Sequence, residues 1–294
     1  MRRRPAREMP NSEAGWPTGL VSNALTVDVE EWFHICGISA LAPTRWPQLP
    51  SRVVSNTQCL LDLLDDVGVR ATFFVLGWVA ERYPDLVVRI RDAGHEIGSH
   101  GHWHDRVYDL SPTRFADDFD ASLRALRACG AEVTCYRAPE WSINDRSLWA
   151  LDKVAERGIR VDSSMAPMRR VGSPGFPQDI HQRQTMHGPL TECPPAVERR
   201  FGQYVPFGGG WGLRMSRPSR VLEALEAREK QRAATVFWIH PWELDDDPPR
   251  VSLPWPLWFA HYFRLSGFRA RLETILRRAP FGPLGPIAGR RAVS

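Results

Sequence analysis

Three histidines fall within five positions in Gly98-Ser99-His100-Gly101-His102-Trp103-His104. On a helical turn His100 and His104 would project to one side, with Cβ atoms about 5–6 Å apart, close enough for two imidazoles to share a metal ion. His102 would point elsewhere. A polar loop with incidental histidines is the plainer alternative. In Leu25-Thr26-Val27-Asp28-Val29-Glu30 the strand period puts Thr26, Asp28 and Glu30 on one face and Leu25, Val27 and Val29 on the other. A carboxylate set between valines beside a core strand needs a cation, a metal or hydrogen bonds; a solvated strand end is the competing explanation. One carboxylate and two imidazoles leave coordination positions open, as a catalytic rather than a structural metal site does. Tyr136-Arg137-Ala138-Pro139-Glu140-Trp141 offers a guanidinium that can neutralise a buried carboxylate, beside a proline that fixes the backbone. Val161-Asp162-Ser163-Ser164 and Phe237-Trp238-Ile239-His240 end two further apolar stretches.

These clusters must be held by something, and the pattern between them alternates. Ala24 to Glu30 reads as a strand, Ser55 to Val67 as a helix ended by Gly68, and residues 70 to 77 as an apolar strand. One helix is expected through VAERYPDLVVRIRDAG, followed by the short strand HEIGSH. Helical patterns cover Thr113 to Cys129 and Arg146 to Arg157, with strands near Val133 to Tyr136, Ile159 to Asp162 and Ala234 to His240. Such alternation implies parallel β/α units, enough for a barrel, whose chemistry belongs at the C-terminal strand ends. All five polar clusters fall there. The stretch from Ala166 to Gly212 is rich in Pro and Gly, ends in PFGGGWG, and reads as a lid or binding loop. After PWELDDDPPR comes an aromatic run, LPWPLWFAHYF, and an amphipathic helix over Phe268 to Arg278.

Composition narrows the classes. The 38 Lys+Arg and 34 Asp+Glu leave a net charge of +4, too small to argue for nucleic acid and concentrated near the two ends. Five cysteines without metal-ligand spacing suggest reduced thiols in a reducing compartment. Residues 1–21 read as a flexible leader with no apolar signal region, and no run of about 18 apolar residues appears, so a cytoplasmic location is expected. The aromatic run, with Trp255, Trp258, Phe259, Tyr262 and Phe263, reads as packing against the barrel. An alternative is peripheral association with the inner face of a membrane, through these aromatics and nearby arginines.

Taken in order, TVDVEEW, GSHGHWH, RAPEW, VDSS and FWIHPWE resemble the five motifs of the polysaccharide deacetylases, the NodB-like enzymes of carbohydrate esterase family 4. The resemblance covers roughly residues 22 to 245. It is closest to the exosortase-linked deacetylases of exopolysaccharide loci, through the DVE opening, HEIGSHG, YRAP, the PFGGGG-like stretch and HPWE. The resemblance implies an α/β fold, a distorted (β/α) barrel of the NodB type over 22–245, with a C-terminal extension over 246–294 packing on it. It implies a hydrolase that uses a divalent metal, commonly zinc, to remove acetyl groups from an N-acetylated saccharide, either a polysaccharide or a lipid-linked oligosaccharide of exopolysaccharide biosynthesis. By carry-over Asp28 is the general base, and Glu30, His100 and His104 are the metal ligands. Arg137 holds Asp28, His240 is the general acid, and Asp162 tunes it. The backbone N–H of Glu140 would donate to the oxyanion, with Trp141 and Trp242 beside the substrate groove. Val29 separates the two acidic residues of the first motif, where most relatives have adjacent aspartates, so Glu31 is an alternative ligand to Glu30. Glu140 stands where many relatives carry an aromatic residue. Two rival readings are a NodB-like amidohydrolase opening a cyclic ureide and a non-catalytic carbohydrate-binding protein.

Overall fold

The computed structural model describes residues 22–292; the leader expected over 1–21 lies outside the described residues. The first half alternates as the pattern implies: β1 (Asn23–Val29), α1 (Val53–Val67), β2 (Thr72–Val75), α2 (Gly77–Arg82), α3 (Pro84–Asp92), β3 (Glu96–Ser99), α4 (Pro112–Ala128), β4 (Val133–Tyr136), α5 (Trp149–Glu156) and β5 (Val161–Asp162). Local chemistry sets several boundaries. Gly68 ends α1 in the left-handed conformation at φ 68°, and the Ser111 side chain caps α4 by accepting from the Arg114 N–H, with Pro112 in the first turn. The single helix expected across residues 79–94 is two. Pro84 has no N–H to continue a helix and disfavours helical backbone at Tyr83, so α2 stops and α3 restarts at the proline.

The second half comprises β6 (His181–Thr185), β7 (Gly188–Glu192), β8 (Val197–Arg200), β9 (Gln203–Pro206), α6 (Gly210–Met215), α7 (Pro218–Lys230), β10 (Thr235–Ile239), α8 (Trp255–Tyr262), α9 (Phe268–Leu276), β11 (Phe281–Gly282) and α10 (Leu284–Ala292). The sheet runs β10-β1-β2-β3-β4-β5-β7-β6, parallel except for the β6–β7 hairpin, and β11 adds to the start of β1. β1 is buried along its whole length. Leu25, Val27 and Val29 join the large core beneath the helices, and burying each contributes about 1.5–3 kcal/mol.

The gap between β5 and β10 is closed by irregular backbone rather than a full ladder. Cys193 N–H bonds Asp162 O at 2.8 Å, Ala196 N–H bonds Val236 O at 2.9 Å, and Trp238 N–H bonds Gly208 O at 2.9 Å. The glycines are required there. A Cβ on Gly209 would fall 2.2 Å from Trp238, and one on Gly208 would fall 2.5 Å from Ala196 Cβ. The stretch over 166–212 is therefore two hairpins and the closing seam of a distorted barrel, not the lid or binding loop its composition suggests. The opposite end is plugged. Leu284, Ile287 and Ala288 of α10 pack with Ala24, Phe74, Val161 and Val236. The first amides of α10, Leu284 and Gly285, donate to Thr72 Oγ1 and Glu96 Oε2 at 2.7 and 2.9 Å.

Candidate active site

Glu30 leaves the end of β1 with its carboxylate turned inward. Its Oε2 lies 2.7 Å from His104 Nε2 and 3.8 Å from His100 Nε2. These three donors lie within 4.8 Å of one another, all buried, the one such cluster among the described residues. The histidines meet without a helical turn. Gly101 at φ 77° and His104 at φ 56° fold the chain back after β3, and the two rings sit 5.4 Å apart. His102 points away, its Nε2 3.8 Å from Glu81. Glu31 is no ligand: its carboxylate accepts from the Ser51 hydroxyl and from the Arg52 N–H at 2.9 and 3.1 Å, at the start of α1.

The donor set fits a divalent cation. His100 Nδ1 is 2.9 Å from the Arg137 carbonyl, which can only accept, so Nδ1 carries the proton and Nε2 presents its lone pair. Burial lowers the His100 pKa to about 4, against the pull of Asp28, so the ring is neutral, as a ligand must be. Burial alone would push the Glu30 carboxyl up, but His104, His240 and His100 hold it well below the usual carboxylate range. His104 Nδ1 faces Cys36 Sγ at 3.4 Å, a contact with no precedent in the sequence pattern.

Asp28 is buried one strand step back. Arg137, fully buried at the end of β4, donates from one terminal nitrogen to Asp28 Oδ1 at 2.8 Å and Thr26 Oγ1 at 2.7 Å. Its other terminal nitrogen donates to Ser163 Oγ at 2.9 Å, and its plane lies 4.3 Å from the Phe74 ring. This satisfies a buried ion pair on both sides, the condition under which such a pair is tolerable. Thr26 and Ser163 complete the arrangement without having been singled out; Thr26 was visible as the residue sharing a strand face with Asp28.

His240 follows β10 and brings Nε2 to 3.5 Å from Glu30 Oε1 and 4.0 Å from Asp28 Oδ2. Burial pulls its pKa down, but the Glu30, Glu243 and Asp28 carboxylates outweigh burial and raise it above the ordinary histidine value. Asp162, expected to tune His240, is engaged elsewhere. It accepts from Ser164 Oγ at 2.8 Å and Ser164 N–H at 3.1 Å and shares a hydrogen bond with Glu192. The contact to His240 Nδ1 belongs to Glu243 Oε2 at 3.1 Å. Glu243 stands in the HPWE motif, but nothing in the sequence pairs it with the histidine.

Glu140 and Trp141 both adopt left-handed backbone, φ 53° and 48°. With His104 they are three of the six non-glycine residues at positive φ among the described residues, so about half of this backbone strain, of order 1–3 kcal/mol per residue, lies at the site. Glu140 Oε2 binds Arg106 Nε at 2.6 Å. Trp141 and Trp242 are buried and back the site instead of walling an open groove. Trp141 packs edge-on to Trp238 at 4.6 Å, while Trp242 stacks on His240 at 4.9 Å and donates to Glu30 Oε1 at 3.2 Å. Open space lies beside His104, a cavity of about 460 Å³ lined in part by His34, Cys36, Trp46, Trp103 and Arg106.

A carboxylate held by arginine, three donors that could hold a metal ion and a protonatable histidine are grouped at the C-terminal strand ends of a distorted barrel, an arrangement with the parts that metal-assisted hydrolysis of an amide or ester needs. Residues 47–159 match the polysaccharide deacetylase family model, and residues 163–288 match a domain of unknown function, DUF3473. The chain is 29% identical over 165 residues to a peptidoglycan-N-acetylglucosamine deacetylase of Bacillus cereus, covering 52% of this chain and 59% of that one. It is 33% identical over 101 residues to a chitooligosaccharide deacetylase of Bradyrhizobium, covering 34% and 43%. The chain thus spans about half the length of these curated relatives. Its fold is similar to that of a Mycobacterium smegmatis structure described as a polysaccharide deacetylase, with a TM-score of 0.63, 23% identity and 95% and 93% coverage. Family model and homologues together support the polysaccharide deacetylase family for this chain. His100, His104, Arg137 and Glu140 lie in the first match and Ser163, His240, Trp242 and Glu243 in the second, while Asp28 and Glu30 precede both. One site is therefore assembled across two matches, one of them with no assigned role.

Proposed function

We propose that this protein is a metal-dependent hydrolase that removes N-acetyl groups from a polysaccharide or a lipid-linked oligosaccharide during exopolysaccharide biosynthesis. The observation that carries this reading is the placement of His240 Nε2 within 4.0 Å of Asp28 and 3.5 Å of Glu30, so that base, metal carboxylate and acid face one point. A divalent cation held by Glu30, His100 and His104 supplies Lewis-acid polarisation of the acetamide carbonyl and a lowered pKa for water. Two imidazoles and a carboxylate with positions left open favour zinc.

The chain's own groups do the proton work. Asp28, pinned through Oδ1 by Arg137, accepts the proton of the attacking water. The Glu140 N–H, on its left-handed turn, donates to the oxyanion. His240 delivers a proton to the departing nitrogen, since an unprotonated amide nitrogen is a very poor leaving group; the C–N bond breaks to give acetate and an amine. Trp103, half exposed at the cavity mouth, offers a face for a sugar ring.

The catalytic unit is read as 22–245, with 246–294 as an extension that packs on the barrel. The PFGGGWG and HPWE segments support the exosortase-linked, exopolysaccharide-locus subgroup. No helix among the described residues is long and apolar enough to cross a membrane. A cytoplasmic enzyme working at the inner membrane face accords with Trp255, Leu257 and Trp258, which α8 leaves exposed while Tyr262 is buried. The test is acetate release from N-acetylhexosamine oligomers and lipid-linked saccharides, with chelator and metal add-back. Release of ammonia or ring-opened products from cyclic ureides instead would replace the substrate class, and absence of any bound divalent ion would end the catalytic reading. Sedimentation with anionic liposomes at low salt tests the membrane reading, and no binding there would remove it.

A further inference from the structure

Behind His240 lies a second charged pair. Glu243 is fully buried. Its Oε2 faces His240 Nδ1 at 3.1 Å and accepts from the His240 backbone N–H at 3.0 Å. Its Oε1 lies 2.9 Å from Nε of Arg214, itself 1% exposed, on α6 of the glycine-rich seam. A buried arginine requires partners for its remaining donors. One terminal nitrogen of Arg214 donates to the carbonyls of Phe263 at 2.6 Å and His261 at 3.3 Å, and the other to the carbonyl of Ala260. These carbonyls lie at and just past the C-terminal end of α8, where a helix leaves acceptors unpaired and a cation is favoured. The neighbouring Trp242 is held the same way. The Arg214 guanidinium lies 5.9 Å from its ring and the His261 ring 4.1 Å from it, while its Nε1 reaches Glu30.

We propose that Arg214 and Glu243 are positioning residues for His240, and that Arg214 makes the Ala260–Phe263 end of α8 a working part of the site. This rests on the reading of His240 as the proton donor. A carboxylate on Nδ1 accepts the proton there and fixes the ring plane, which aims Nε2 at Asp28 and Glu30. Glu243 can hold that role only as an anion, and a buried anion needs a counter-charge. Arg214 supplies it, and the α8 carbonyls fix where it stands. The helix end thereby sets the orientation of a histidine about twenty residues earlier in the chain.

The experiment is a double-mutant cycle on the full chain loaded with metal, reading kcat, KM, bound metal and thermal midpoint with an N-acetylated chitooligosaccharide as probe. Arg214→Met and Glu243→Gln are each expected to lower kcat about 10–100-fold while KM and bound metal stay at wild-type levels. The double variant is expected to be no slower than Glu243→Gln alone, because Arg214 acts through Glu243. Arg214→Lys, which keeps a cation beside Glu243 without the fork, should restore kcat above that of Arg214→Met and serves for the cycle where Arg214→Met does not fold. Wild-type kcat in Arg214→Met, losses that multiply in the double variant, or a loss that follows bound metal would each overturn the proposal. His240→Ala separates the two readings: if it retains activity, the assignment of the acid has failed, whereas an inactive His240→Ala beside a fully active Arg214→Met counts against the positioning role alone.

Discussion

Glu30, His100 and His104 stand within a residue or a short turn of the parallel strands β1 and β3, both laddered to β2 between them, whereas His240 depends on groups gathered from α6, the turn after β10 and the end of α8. The metal side of the site is held by a ladder whose spacing is common to all such sheets. The acid side is held by side chains reaching across it, each contact between residues far apart in sequence or in no regular element. A strand end can place a ligand through the backbone hydrogen bonds of its ladder. Fixing the plane of an imidazole needs a dedicated partner, and here that partner needs a partner of its own.

If the two sides are as distinct as their construction implies, substitutions should separate them. The largest effect is expected on the ladder side. His100→Ala should lose bound metal and fall to background turnover, while Asp28→Asn should keep its metal and lose about 10²–10⁴-fold in kcat. Metal analysis beside acetate release decides this, and the assignment falls if His100→Ala keeps its metal or Asp28→Asn keeps its rate. Next is Arg137→Met, which strands a buried Asp28 without its cation and should cost about 3–5 kcal/mol in urea unfolding. A loss below about 1 kcal/mol, the range of exposed pairs, would mean that the pair is hydrated.

A smaller effect concerns Asp162 and Glu192, buried carboxyls at the ends of β5 and β7. Burial and the Asp162 charge push the Glu192 carboxyl well above its ordinary range, and Glu192 Oε2 finds no donor among the described residues. This favours the protonated form of Glu192 in the fold, whereas in the unfolded chain the carboxyl ionises near pH 4.3. Its contribution is complete below that pH and is lost as pH rises toward the folded value, by up to about 1.4 kcal/mol per pH unit. Glu192→Gln should remove that slope, so urea midpoints of wild type and variant should converge from pH 5 to pH 8; parallel lines would show that Glu192 is ionised. The smallest effect lies outside both regions. Phe201, fully exposed at φ 49° beside Gly202 at φ 76°, occupies a two-residue hairpin turn that prefers Asn-Gly. Phe201→Asn should raise stability by about 0.5–1 kcal/mol with kcat unchanged, showing that positive φ there carries no function, unlike His104 and Glu140. A fall in kcat would contradict this.

The same division decided what the sequence could reveal. Thr26, Asp28 and Glu30 share a face because the strand period is two, and the polar clusters fall at strand ends because apolar runs stop there. Both signals are local. The two metal histidines were legible as a pair, although the turn joining them was not, because left-handed backbone at His104 leaves no mark in composition. Glu243, assigned no part, displaced Asp162 as the partner of His240, since which carboxylate meets Nδ1 is settled by where the chain runs after β10. Arg214 reads as one arginine in a glycine-rich stretch until the seam is seen closed. The stretch reads as a lid or binding loop, yet its glycines at 208 and 209 are dictated by close approach to Ala196 and Trp238. α7, α8 and α10 were not assigned as helices either; Pro and aromatic residues in α8 obscure its period, and α10 is short and carries two glycines.

The pairing of β11 with β1 has a consequence for how the molecule comes into being. Asn23 is bonded to the Pro280 carbonyl 257 residues away, and the floor of the barrel is α10. The strand that carries Asp28 is synthesised long before its final neighbours, which lie more than two hundred residues further along the chain. During translation the first half must wait with an uncovered sheet edge and an open floor, the kind of surface that invites misassociation. Any fragment ending before Phe281 would contain every candidate catalytic group and still lack the pieces that close the barrel around them.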